Sequence, residues 1–287
     1  MSRLSILDTT MLRSVALLVV VTTALSSCLT SQELGVRAGV SGGVVRLSDV
    51  RAEQVLTGIF EYDPTSWLSL SLSPSGVRVS QTLSGRSTAR SGLADLPVSV
   101  AAVYTLPAGG SANLGAGVTV VLPTGSASCG LGSGVASLAA NAGLSFAPLG
   151  SLRLSLDASR SLTGGVAQSA LTAPGATWVS GAGSMALSGR WSASLSYGAD
   201  LGTPDSGRAL SRELGGGVSY TLASALALTV DASHGLTRGS PRWVLSLGVG
   251  TAFAGTSPVL PTAPVRRLQT TFRGTTETSG SSGTTCR

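Results

Sequence analysis

A transmembrane antiparallel β-barrel of about twelve strands is the fold class this sequence predicts, and three observations predict it. From about residue 33 to Phe253 the chain breaks into short runs in which apolar and small polar residues alternate. The connections between runs alternate as well, one short and the next long. The aromatic residues gather at one end: Phe60, Tyr62, Trp67, Tyr104, Phe146, Trp191, Tyr220 and Phe253 all sit beside short connections. A soluble sheet has no reason to collect rings at one end of each hairpin. A membrane barrel does, because amphipathic rings settle at the membrane–water interface.

The runs predict strands at 33–42, 52–62, 67–80, 93–106, 112–122, 135–146, 151–161, 176–188, 191–201, 213–222, 225–234 and 242–253. Asp63-Pro64-Thr65-Ser66, Pro107 to Ser111, Ala147 to Gly150, Gly189-Arg190 and Ala223-Ser224 have hairpin-turn composition. Pro123 to Gly134, Leu162 to Gly175 and Gly202 to Arg212 are long loops. In bacterial barrels short turns face the periplasm and long loops face outside, so both ends of the barrel lie on the periplasmic side.

Alternation gives each strand two faces. Leu152, Leu154 and Leu156 face lipid while Ser151, Arg153, Ser155 and Asp157 face inward. Val98 and Val100 face lipid, Asp95 and Ser99 inward. Trp243, Leu245, Leu247, Val249 and Phe253 are expected on the lipid face, and Trp178 and Trp243 as a sparse second girdle on the loop side. In the run 67–80, Leu68, Leu70 and Leu72 share one parity and Val77 and Val79 the other, which predicts a bulge near Pro74-Ser75-Gly76. The inward faces hold almost only Ser, Gly, Ala and Thr. Those are too small for the interior of a sandwich and suit a lumen that holds water or a ligand. The inward polar candidates are Arg37, Asp95, Asn141, Arg153, Asp157, Asp200 and Asp231. Two readings of them stand: a charged lining that tunes permeation, or mutually neutralising pairs that keep a polar lumen intact.

Composition excludes several chemistries. The net charge of +6 is carried by arginine without a single lysine, which rules out Schiff-base catalysis and a phosphate-binding P-loop. The arginines are scattered rather than set in a stripe with aromatics, so nucleic acid is not an expected partner. One histidine and three cysteines offer no metal-ligand spacing and no disulfide framework, although Cys129 and Cys286 could pair in an oxidising compartment. Asp231, Ser233 and His234 contain hydrolase residue types, but on a strand His234 faces opposite to the other two. Gly130-Leu131-Gly132-Ser133-Gly134 lacks the lysine and the strand-to-helix setting of a phosphate loop and reads as a surface loop. No cofactor and no enzyme activity is expected.

The N-terminus reads as an address. Met11-Leu12-Arg13 followed by the apolar run Val15 to Leu25 predicts a signal peptide over 1–28, with Met11 a second candidate start. The run ends in Leu25-Ser26-Ser27-Cys28, which makes Cys28 a lipidation candidate; cleavage near Ser26 or Ser27 is the other reading. The barrel is expected over 33–253. Residues 254–287, rich in Pro, Thr, Ser, Gly and Arg, read as a disordered tail.

The segment Val118 to Gly134 carries Pro123-Thr124-Gly125 followed by Gly130, Gly132 and Gly134 at alternate positions. It resembles the Pro-Thr-Gly and Gly-Leu-Gly-Thr-Gly signature of the MetA-pathway of phenol degradation family. Ala232 to Pro241, leading into a last strand that ends in Phe253, is similar to that family's closing hairpin. Across about 35–253 the resemblance implies a bacterial outer-membrane barrel that passes small, hydrophobic or aromatic compounds. Its implied partners are the lipid bilayer, the barrel-assembly machinery and a small-molecule solute. The chain departs from the family in running on past Phe253. Two further readings remain: a structural or adhesive barrel without transport, and a soluble β-rich lipoprotein that binds a partner.

Overall fold

The computed structural model describes residues 35–83, 86–106, 112–163, 177–201, 210–223 and 226–253. The expected signal segment 1–28 with Cys28, and the expected tail 254–287 with Cys286, lie outside them. The strands are β1 (Val36–Arg46), β2 (Arg51–Thr65), β3 (Leu68–Leu72), β4 (Ser75–Leu83), β5 (Arg86–Leu93), β6 (Leu96–Thr105), β7 (Ala112–Leu122), β8 (Ser137–Leu149), β9 (Leu152–Thr163), β10 (Thr177–Ala186), β11 (Trp191–Asp200), β12 (Arg212–Ala223), β13 (Leu226–Gly235) and β14 (Trp243–Gly250). All pairings are antiparallel. β1 pairs with β14 from Gly39↔Gly250 to Arg46↔Trp243 and with β2 from Val36↔Tyr62 to Arg46↔Ala52, which closes the sheet. β3 and β4 lie end to end along β2, and β5 and β6 lie end to end opposite them, so the fourteen segments form a twelve-strand barrel.

The alternation read from sequence is the alternation of the wall. On β13, Thr229, Asp231 and Ser233 are buried while Val230 is 46% exposed on the outside. On β14, Val244, Ser246 and Gly248 point in and Leu245 and Leu247 point out. Leu114, Val118, Leu156, Leu195 and Val218 extend the exposed apolar belt around the barrel. Such a belt is stable only against hydrocarbon, which overturns the reading of a soluble lipoprotein. Phe60, Tyr62, Trp67, Tyr104, Phe146 and Trp191 are exposed at the short-turn end, and Tyr220 stacks against Trp191 with ring centroids 4.7 Å apart.

Four expectations need correction. The stretch 81–92 is not a connection: β4 and β5 continue it as a hairpin, because the alternation begun at Val77 does not stop at the barrel rim. The parity of 67–80 does not change either. β3 and β4 hold one register on β2, Leu72↔Phe60 and Ser75↔Thr57, and Val77 and Val79 point inward. The slip is on the opposite strand: Leu72 faces Val98 but Gly76 faces Leu93, and Ser75 and Ser73 bond Ala94 and Pro97, so the extra residue lies at Asp95-Leu96. Trp178 faces the interior rather than lipid, since its register partners Ser159 and Asp200 are inward residues. Phe253 also turns inward, as described below.

The outer face gives a direct test. Leu247 is 47% exposed in the middle of β14. Leu247→Arg is expected to destabilise the barrel by about 2–4 kcal/mol in urea titrations from lipid vesicles, whereas Leu247→Phe leaves it nearly unchanged.

Candidate functional site: the lumen and its two ends

The inner wall is built from the small half of each alternating strand. Ser192, Ser194 and Ser196 of β11 stand opposite Ser219, Gly217 and Gly215 of β12. Inward hydroxyls bond across strands, Ser192 with Ser219 at 2.6 Å and Ser99 with Thr119 at 2.8 Å, and the Asn141 amide donates to the Thr119 hydroxyl at 2.8 Å. These side chains are short, so none of them reaches across the barrel.

The charged candidates fall on this wall. Arg153 and Asp157 stand opposite Ser184 and Ser180, and Asp200 is buried opposite Trp178. Asp231 lies over Gly217, where an added Cβ would collide with its carboxylate. Arg37 donates to Asp63 at 2.9 Å and lies 3.4 Å from Glu61. Arg51 donates to the buried Glu53 at 2.7 Å. The wall therefore contains both a neutralised group around Arg37 and an excess of acid. Its described carboxylates are Glu53, Glu61, Asp63, Asp157, Asp200, Glu213 and Asp231, against Arg37, Arg51 and Arg153.

Sequence reasoning missed Arg51, Glu53, Glu61, Asp63 and Glu213. The signal was present: Arg51, Glu53, Thr57 and Glu61 share a parity opposite to Leu56, Phe60 and Tyr62, and assigning faces to that run would have found the acids.

The loop-side end is narrowed by the segment that carries the family-like motif. Pro123 ends β7, and the Thr124 hydroxyl donates to the Ala94 carbonyl at 2.8 Å. Asp95, freed from the ladder by the slip, accepts from the Gly125 amide at 3.0 Å and from the Ser133 amide and hydroxyl at 2.6 Å each. Gly125 and Gly132 lie backbone against backbone; a Cβ on Gly125 would stand 2.6 Å from the Leu131 carbonyl oxygen. Gly130 and Gly134 have φ of 66° and 73°, values that disfavour a side chain. The turn so formed drives Leu131 into the barrel mouth, where it is buried among Val45, Val55, Val77, Val79, Ala94 and Val244. This corrects two expectations: Asp95 is the anchor of a loop rather than a free lining charge, and the loop is pinned inward rather than lying on the surface. It also shows that the inward face is not built from small residues alone. Valines fill it where the loop docks.

At the turn-side end the chain closes with a pivot. Gly250, at φ 153°, approaches Gly39 so closely that a side chain would collide with the Ala38 carbonyl. Beyond it, the Thr251 hydroxyl accepts from the Ala38 amide at 2.8 Å and donates to the Ala38 carbonyl at 3.1 Å. Phe253 then lies inside the barrel over Gly39 and Gly248; a Cβ on these would meet the ring at 2.8 and 2.9 Å. The expectation that Phe253 closes the lipid-facing girdle is therefore wrong, because the backbone leaves the strand at Gly250.

The three hydrolase-type residues do not assemble. Asp231 and Ser233 are buried on the inner face, and His234 pairs with Trp243 and Leu214 on the outer one. No group of residues suited to a metal ion occurs among the described residues. Cys129 packs beside the valine cluster and is disulfide-bonded, and Cys28 and Cys286 are both outside the described residues.

The motif, the closed barrel and the closing hairpin agree with the sequence comparison: the family model for the MetA-pathway of phenol degradation matches residues 30–253. The chain belongs to that family. Among solved structures it resembles the COG4313 outer membrane channel from Pseudomonas putida F1, with a TM-score of 0.55 at 17% identity, covering 76% of this chain and 95% of that one. The NanC porin gives 0.49 at 10% identity (74% and 97% covered), and the CymD monoaromatic hydrocarbon channel 0.44 at 10% (76% and 88%). No curated protein matches the sequence. At these identities the likeness concerns the fold, and with the apolar belt it makes this family member a barrel of the bacterial outer membrane.

Two outcomes follow from the ends of the lumen. Asp95→Ala is expected to speed amide exchange at Gly125 and Ser133 by about tenfold or more, because both donors lose a charged acceptor. Gly248→Val is expected to cost about 1–3 kcal/mol of stability by overpacking, and Phe253→Ala in the same chain to restore part of it, since the ring it strikes is gone.

Proposed function

We propose that the chain is an outer-membrane channel that passes small solutes through its lumen. The observation that carries this is the inner wall itself: long faces of Ser, Gly, Ala and Thr, with acidic groups spaced along them. The excess of carboxylate over arginine favours neutral or cationic solutes over anions, because fixed charge at close quarters sets selectivity. The valine and Leu131 patch at the mouth supports solutes with an apolar part, in keeping with the aromatic compounds in the family's name. Export through the signal segment 1–28 and insertion by the barrel-assembly machinery belong to the same reading.

Reconstitution in planar bilayers tests it. Reversal potentials in a potassium chloride gradient should show cation preference, and Glu61→Gln with Asp231→Asn should reduce the cation-to-anion permeability ratio several-fold. No conductance from correctly folded barrels would reject the channel, and anion preference would reject the role of the acidic wall.

A further inference from the structure

Charge on this barrel is segregated by place. Among the described residues every carboxylate except Asp49 faces the lumen or the Asp95 anchor. Arg37, Arg51 and Arg153 stand with them on the inner wall, but a second set of arginines lies outside. Arg46, Arg78, Arg160 and Arg212 all occupy outward positions near the loop-side ends of their strands. Arg46 stands beside Trp243, Arg160 follows Leu156 and Ala158 on the outer face of β9, and Arg212 precedes outward Leu214 on β12. Arg78 stands opposite Gln54 on the outer face of β4. At the short-turn end Arg190 is the only described arginine outside the lumen, and aromatic rings hold the interface there.

The two rims of the barrel therefore meet the membrane by different chemistry. Rings suit any interface. Guanidiniums spaced around a rim suit phosphate, which each can bind in bidentate fashion. We propose that the loop-side arginine rim is a docking surface for the phosphate groups of the outer-leaflet glycolipid, lipopolysaccharide. The proposal rests on the outer-membrane placement and is independent of transport.

The test uses the full chain in detergent and the quadruple variant Arg46→Gln, Arg78→Gln, Arg160→Gln, Arg212→Gln. The probes are purified lipid A with both phosphates and dephosphorylated lipid A, with binding read by native mass spectrometry. The wild type should bind the phosphorylated probe, and the quadruple variant should bind it at least about tenfold more weakly. Arg190→Gln should bind like the wild type. Heat-modifiable migration on gels confirms that each variant is folded; if the quadruple variant is not, Arg160→Gln with Arg212→Gln should weaken binding several-fold. Equal binding of the two probes, or undiminished binding by a folded rim variant, would overturn the proposal.

Discussion

Backbone hydrogen bonding without water is the constraint on which this structure depends. In hydrocarbon an unpaired N–H or C=O costs several kcal/mol, so a spanning sheet has to close on itself. β1 meets that demand by pairing along one edge with β14 and along the other with β2. Closure then dictates the side chains. Each strand presents one row to lipid and one to the lumen, and the sequence has to alternate from β1 to β14.

At two breaks in the ladder something else takes up the backbone groups, and both bear on the lumen. At Asp95-Leu96 the register slips by one residue, and the Asp95 carboxylate and Ala94 carbonyl are taken by Gly125, Ser133 and Thr124. At Gly250 the last strand turns inward, and the Thr251 hydroxyl satisfies both backbone groups of Ala38. The first break brings Leu131 into one mouth; the second brings Phe253 into the other. The two constrictions are the price of irregularity in a closed sheet, placed where a channel can use them.

Most of the wall was legible in the sequence. The strands from 112 to 234 emerge close to their read positions, with Leu156, Val230 and Leu247 outside and Asp157, Asp231 and Ser246 inside, because alternation with period two follows from the backbone alone. The Glu53 and Glu61 acids were equally legible from the parity of their run. The anchoring role of Asp95, the inward turns of Trp178 and Phe253, and the inward Val77 and Val79 were not. Each depends on how two strands distant in sequence are registered. A valine facing a docked loop looks in sequence like a valine facing lipid.

The sequence by itself determined the fold class and the lipid and lumen faces of the regular strands, since both follow from spacing along one chain. Only the tertiary structure decided what stands at the ends of the lumen. That depends on which residue faces which across the closed sheet: Asp95 opposite the Gly125–Ser133 turn, Leu131 among valines from four strands, and Phe253 over two glycines that leave it room.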